Sequence, residues 1–208
     1  MTPEETLVVL VDDDLAVQES LSNLFRSVDQ PLRAFSSATA FLEADLPDVP
    51  TCLVLDVRLP GQSGLELQRV LSSRAGLPPI VFITGHGDIP MSVEAMKRGA
   101  IEFLTKPFRD QDLLDAVCRG LLIDSKRREE TGRLRELVDR YESLTPRERD
   151  VLAYVAEGRL NKEIAARLEL SVVTVKVHRA QVMRKMRARS IAELIRTADA
   201  ISRNSPGA

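Results

Sequence analysis

VVLVDDDLAV, residues 8 to 17, runs four apolar residues directly into three consecutive aspartates, Asp12, Asp13 and Asp14. An aliphatic run with no polar alternation predicts a short strand buried on both faces. Like charges at its end repel one another, so the cluster costs folding energy unless a cation sits among them. What that cation serves depends on the residues that end the other strands.

Outward from this stretch, β-branched runs alternate with segments of helical period. LVVLV, PLRAF, TCLVLD, PIVFIT and AIEFLTK predict strands; LAVQESLSNLFRSV, SATAFLEA, SGLELQRVLSSR, IPMSVEAMKRG and DQDLLDAVCRGLLI predict helices. Five strand-helix units with nearly all-apolar strands predict an α/β domain, a five-stranded parallel, doubly wound sheet with helices on both faces. In such a sheet the ligand site lies beyond the C-terminal strand ends, where the order of strands reverses. The residues ending the first, third, fourth and fifth strands are Asp12 with Asp13, Asp56, Thr84 and Lys106. Three carboxylates, a hydroxyl and an ammonium are therefore expected to converge. Such a set suits a hard divalent cation, Mg²⁺ or Mn²⁺, and a phosphoryl group: one carboxylate attacks phosphorus while the lysine and hydroxyl stabilise the transferred oxygens.

Composition excludes several other classes. No apolar run approaches the roughly 20 residues of a membrane span, and the acidic N-terminus is unlike a secretory signal, so a cytoplasmic protein is expected. Cys52 and Cys118 are far apart and in apolar surroundings, which predicts two small core residues and neither a disulfide nor a metal site. There is no glycine loop for ATP, and the histidines are His86, read as a loop residue, and His178. The phosphoryl group must come from a partner. Charge is split along the chain: residues 1–124 carry 10 Lys+Arg against 19 Asp+Glu, a net of −9, whereas residues 141–208 carry 13 against 8, a net of +5. An acidic module followed by a basic one points to nucleic acid at the second.

Residues 1–124, through these strand ends and the string ITGHGDIPMSVEAMKRGAIEFLTKPF, resemble the receiver domain of two-component response regulators, in its FixJ-type branch. The resemblance implies a flavodoxin- or CheY-like fold and a sensor histidine kinase as partner. It implies that Asp56 is the phosphoacceptor, and that Asp13 and Asp56 bind the metal with the backbone carbonyl of Arg58. Asp12 would support the metal through water, and Asp14 would lie outside its first shell. Lys106, joined to Pro107 by a cis bond, would pair with the phosphoryl group. Thr84 and the aromatic ring of Phe103 would move together as the switch.

The segment DSKRREETGRLRELVDRYESL, with Leu134, Leu137, Val138 and Tyr141 at spacings of three and four, reads as a linker helix over 125–141 with one apolar stripe; the alternative is a solvated segment broken at Gly132. Four short helices follow. Thr145, Pro146 and Glu148 form a capping box with proline at the first helical position, and Gly158 ends that helix. NKEIAARLEL and VVTVKVHRAQVMRKM, joined by a turn with Ser171 as N-cap, have helix-turn-helix spacing. Ile164, Ala165 and Leu168 face inward from the first helix, and Val175, His178, Val182 and Met186 from the second. Val177 then faces outward beside Lys176 and Ala180, with Val173 and Arg184 in the same stripe and Arg179 at its flank. An exposed valine on a basic helix suits a thymine methyl in the major groove.

Residues 142–200 resemble the LuxR/NarL-type DNA-binding domain through LTPRERDVLAYVAEG, NKEIAARL and TVKVHRAQVMRKM. By that resemblance Lys176, Val177 and Ala180 read bases, while Asn161, Lys162, Thr174 and Arg179 touch the backbone of double-stranded DNA. Ala180 stands where some relatives carry a longer residue. The last helix commonly serves dimerisation. The expectation is a phosphorylation-controlled transcription factor with a receiver at 1–124, a helical linker at 125–141 and a DNA-binding domain at 142–208. It would act as a homodimer when phosphorylated or on DNA, with RNA polymerase as a further partner. The rivals are an aspartyl phosphatase or phosphotransferase, disfavoured by Arg58 standing where a second acid is needed, and an adaptor that no longer contacts DNA.

Overall fold

The computed structural model describes residues 6–72, 76–85 and 89–204, with side chains through 201. His86 lies outside the described residues. Five strands, β1 (Leu7–Val11), β2 (Leu32–Phe35), β3 (Thr51–Asp56), β4 (Ile80–Thr84) and β5 (Glu102–Thr105), alternate with α1 (Leu15–Ser27), α2 (Ala38–Leu42), α3 (Gly64–Ser72), α4 (Ile89–Lys97) and α5 (Asp110–Glu142). All strand pairs are parallel and the sheet order is β2-β1-β3-β4-β5. Order reverses between β1 and β3, which places a crevice at the ends of these two strands.

Strand alternation divides the apolar residues between two layers. Val9, Val11, Leu53, Leu55 and Phe82 pack with Phe41, Leu67 and Ala95 of α2, α3 and α4. Val8, Leu10, Cys52, Val54 and Ile83 pack with Leu21 and Phe25 of α1 and Leu113 and Val117 of α5. Every residue of β1, β3 and β4 is buried. The edge strands β2 and β5 depart from the expected double burial, because each has a neighbour on one side only.

Helix α5 is continuous over 33 residues and passes through Gly132 without a break, so the broken-linker alternative is not what forms. Its early turns lie close on the sheet: a Cβ at Gly120 would stand 2.5 Å from Cys52 Sγ. Further along, the buried Asp124 carboxylate accepts the Thr51 N–H at 2.9 Å and pairs with Arg127 and Arg128. One cysteine corrects the sequence reading. Cys52 is buried, but Cys118 is exposed, since its place on α5 turns it away from the face that carries Val117 and Leu121.

The chain divides into two compact units, residues 1–128 and 129–208. In the second, α6 (Pro146–Ala156), α7 (Asn161–Leu168), α8 (Val172–Lys185) and α9 (Ile191–Asn204) enclose Val151, Leu152, Ile164, Val175, Val182, Met186 and Leu194, with Leu137 and Tyr141 of α5 packed against them. Both halves of the capping box form: Glu148 N–H donates to Thr145 Oγ1 at 3.3 Å, and Glu148 Oε2 accepts the Thr145 N–H at 2.8 Å. Gly158, at φ 77°, supplies the left-handed residue after α6. No helix among the described residues is long and apolar enough to cross a membrane.

Candidate functional site

Register carries the strand ends into alignment. Val11 pairs with Leu55, Asp56 with Ile83, and Thr84 with Thr105, so the residues that follow or end β1, β3, β4 and β5 open on one edge. Asp12, Asp13 and Asp56 each bring a carboxylate oxygen within 4.8 Å of the others. Asp12 is fully buried, Asp56 is 8% exposed and Asp13 is exposed. The third aspartate of the run belongs to the helix. Asp14 caps α1, accepting the N–H groups of Ala16 at 2.8 Å and Val17 at 3.4 Å, which are donors without an intrahelical partner.

Lys106 enters from the end of β5 across a cis peptide bond to Pro107. Its Nζ lies 2.6 Å from Asp12 Oδ2 and 3.8 Å from Asp56 Oδ2. Asp12 Oδ1 accepts the Asp14 N–H at 2.9 Å, so both Asp12 oxygens are engaged. Asp56 is less well served: its Oδ1 is buried without a hydrogen-bond partner. Burial pushes the Asp56 carboxyl above the usual carboxylate range, and Asp12 adds to the rise; the Lys106 ammonium and the N–H groups of Arg58 and Val57 oppose it. Three carboxylates against one ammonium, with an orphaned carboxylate oxygen among them, fit a hard divalent cation.

Thr84 is 1% exposed at the end of β4, and the Phe103 ring, half-buried on β5, lies 6.0 Å from that of Phe82. The Arg58 side chain is exposed on the loop after β3. This loop returns tightly: Gly64 N–H donates to Val57 O at 2.9 Å, and a Cβ at Gly64 would stand 2.2 Å from Asp56 O. Only glycine permits this approach of α3 to the strand end. A nucleophilic carboxylate beside a cation-binding cluster and a lysine can attack phosphorus and carry the phosphoryl group as an acyl phosphate.

The second cluster lies on α7 and α8. Val173 and Val177 are 70% and 53% exposed, and Lys176, Ala180, Arg184 and Lys162 are exposed too. Asn161, Thr174, Arg179 and His178 are half-buried. Ser171 caps α8 through the Thr174 N–H at 3.0 Å, and Arg179 donates to Asn161 Oδ1, tying α8 to the first turn of α7. Lys185 Nζ reaches Glu148 Oε2 at 2.6 Å and Ser143 O at 3.1 Å, so the end of α8 is held to the α6 cap. Burial would raise the Glu148 carboxyl, but the Lys185 ammonium and the Thr145 donors bring it below the usual range.

Three residues escaped the sequence reading. Leu160, 70% exposed, borders a depression of about 420 Å³ with Asn161, Lys176 and Arg179; its signal was an apolar residue where a helix cap is polar. Lys185 carried no signal, since its partner is 37 residues away. Gln68, fully buried on α3, donates to Ala95 O of α4 at 3.1 Å, and its signal was an amide on an apolar helix face.

A doubly wound sheet with an acidic, lysine-bearing crevice, followed by a helix-turn-helix with a basic outer face, defines a receiver module carried by a DNA-binding protein. Residues 8–118 match the model of the response regulator receiver domain, and residues 142–198 match that of the bacterial regulatory proteins of the luxR family. The chain belongs to the response regulators that join these two domains, the transcriptional regulators of two-component systems. It is 52% identical over 197 residues to nodulation protein W of Bradyrhizobium diazoefficiens, covering 95% of this chain and 87% of that one. It is 44% identical over 196 residues to the transcriptional regulatory protein FixJ of Azorhizobium caulinodans, covering 94% and 93%. Among solved structures it is similar to the response regulator StyR, with a TM-score of 0.87 at 48% identity over 94% of this chain and 98% of that one.

Proposed function

We propose that Asp56 accepts a phosphoryl group from a partner histidine kinase and that the resulting acyl phosphate controls sequence-specific DNA binding by the luxR-type domain. The observation that carries this reading is the buried, unpartnered Oδ1 of Asp56 in the crevice with Asp12, Asp13 and Lys106. Asp56 forms a bond to phosphorus as the bond from phosphorus to the kinase imidazole breaks, and the imidazole nitrogen leaves with the electron pair. Lys106 pairs with an oxygen of the transferred group. Asp13, Asp56 and the Arg58 carbonyl, with Asp12 through water, would hold Mg²⁺ or Mn²⁺, which when bound neutralises charge on the phosphoryl oxygens. The receiver then catalyses only its own phosphorylation and dephosphorylation.

Thr84 and Phe103 turn phosphate into a change of shape. The Thr84 hydroxyl moves toward the phosphoryl group, and the Phe103 ring takes the space left behind, beside Phe82. Residues 1–124 serve as receiver, 125–141 as linker and 142–208 as DNA-binding domain, in a cytoplasmic protein that dimerises when phosphorylated or on DNA and acts on RNA polymerase. Lys176, Val177 and Ala180 face bases, with Val173 and Arg184 in the same stripe, while Asn161, Lys162, Thr174 and Arg179 contact the DNA backbone. DNA binding by wild type and Asp56→Asn, with and without Mg²⁺ and an acyl-phosphate donor, tests the coupling. The donor is expected to tighten binding of wild type only; an equal response by both proteins would remove Asp56 as the control point.

A further inference from the structure

Asp124 is a buried carboxylate that the phosphoryl chemistry does not use. It sits on α5, fully buried, against Thr51 at the opposite end of β3 from Asp56, roughly 17 Å away along the strand. Its Oδ2 accepts the Thr51 N–H at 2.9 Å and the Arg128 Nε–H at 2.7 Å, and its Oδ1 faces the Arg127 guanidinium. Each arginine then reaches a different loop. Arg128 donates to Asp48 Oδ1 ahead of β3, and Arg127 donates to the Leu77 carbonyl ahead of β4. Charged hydrogen bonds are directional where apolar packing is not, so this cluster fixes both the rotation and the axial position of α5 on the sheet.

The cluster ends where the first compact unit ends, at Arg128. Beyond it α5 runs on through residues that packing does little to hold. Residues 129 to 136 are exposed, apart from the half-buried Leu134, and Gly132 in their midst is the poorest helix former after proline. A Cβ at Gly132 would meet open space, so no close approach calls for glycine there. The surface pairs Glu129–Arg133 and Glu136–Arg140 contribute little. A span of about 8 residues, roughly 12 Å of helix, does not persist alone in water and needs helix already formed at both ends. Leu137 and Tyr141, packed on the second core, supply one end. The Asp124 cluster supplies the other.

We propose that the Asp124 cluster is the anchor that keeps the linker helical across Gly132, and that this continuous helix carries the state of Asp56 to the luxR-type domain. The inference rests on the phosphorylation reading above and adds the element through which control passes. Loss of the anchor leaves two working modules that no longer communicate.

The test compares full-length wild type, Asp124→Asn, Gly132→Pro and the double variant Asp124→Asn/Gly132→Ala, each with Mg²⁺ and with or without acetyl phosphate. Asparagine keeps an acceptor for the Thr51 N–H, and both arginines are half-buried with access to water, so the receiver should still fold. In Asp124→Asn, hydrogen exchange at the amides of 129–136 is expected to quicken about tenfold, with exchange in β1 and β3 and phosphoryl uptake, read by mass, unchanged. The tightening that phosphorylation gives on a duplex selected by wild type should be lost. Gly132→Pro breaks the helix without touching the cluster and should lose it too. Alanine at 132 in the double variant should restore slow exchange and the response together. Unchanged exchange over 129–136 in Asp124→Asn would overturn the anchor, and so would faster exchange throughout the receiver that alanine at 132 does not correct. A response retained by Gly132→Pro would overturn transmission through the helix. If phosphorylation leaves wild-type DNA binding unchanged, the phosphorylation reading fails and transmission with it, while exchange still decides the anchor.

Discussion

An ionised carboxylate with an unpartnered buried oxygen, as at Asp56, is a cost to the folded protein until a cation or a phosphoryl group joins it. Its folded pKa lies above the unfolded value, so the associated stability is present below the unfolded pKa and is lost as pH rises through the folded one. Asp56→Asn is therefore expected to stabilise the metal-free protein at pH 7 by about 1 kcal/mol, a gain that shrinks on acidification. Urea titrations at pH 7 and pH 4 measure it. Millimolar Mg²⁺ should then raise the melting temperature of wild type more than that of the variant, and equal shifts would argue against Asp56 as a metal ligand. Glu148 has the opposite sign. Its folded pKa is depressed, so its contribution is present above the ordinary glutamate value of 4.5 and is lost as pH falls through the folded value. Glu148→Gln keeps the capping acceptor but discards the charge opposite Lys185. A loss of about 1 kcal/mol at pH 7, fading below pH ~4, is expected, and a pH-independent difference would assign the effect to the cap instead.

Helix α5 meets the sheet where two small residues face each other. A Cβ at Gly120 would stand 2.5 Å from Cys52 Sγ and 3.0 Å from Ile101 Cδ1, closer than close-packed side chains allow. Gly120→Ala should cost about 2 kcal/mol by overpacking, despite alanine's better helix propensity. Cys52→Ala in the same chain removes the nearest atom and should restore a large part of that loss. Denaturant midpoints of the two single variants and the double variant decide the matter, and additive effects would mean that the helix shifts as a body. The exposed thiol of Cys118 on the same helix plays no part in this contact.

Across the whole chain the charge is partitioned, net −9 before residue 125 and net +5 after residue 140. The basic end attracts the DNA backbone and the acidic end repels it, which favours binding through one module. The proposed dimer, making several phosphate contacts, predicts that affinity falls roughly a hundredfold or more between 50 and 200 mM salt. Lys162→Ala should weaken binding to all duplexes alike and reduce the slope of log affinity against log salt by about one for each contact removed. An unchanged slope would take Lys162 off the DNA backbone.

The alternation of aliphatic runs with helical periods was enough to specify the parallel sheet, because strands buried on both faces have no other composition. Likewise the capping residues Ser171 and Thr145 announced their helices, since a cap acts over three residues of local chain. Even the acidic cluster was legible, as strand ends in this topology can only gather at one edge. Long-range pairing was not. Tertiary structure alone made Asp12 the immediate partner of Lys106, 94 residues away, and left Asp56 with a free buried oxygen. The same holds for Asp124 on the Thr51 N–H and Lys185 on Glu148. Each depends on the distance and angle between elements, which side-chain packing sets and which no periodicity in the chain encodes.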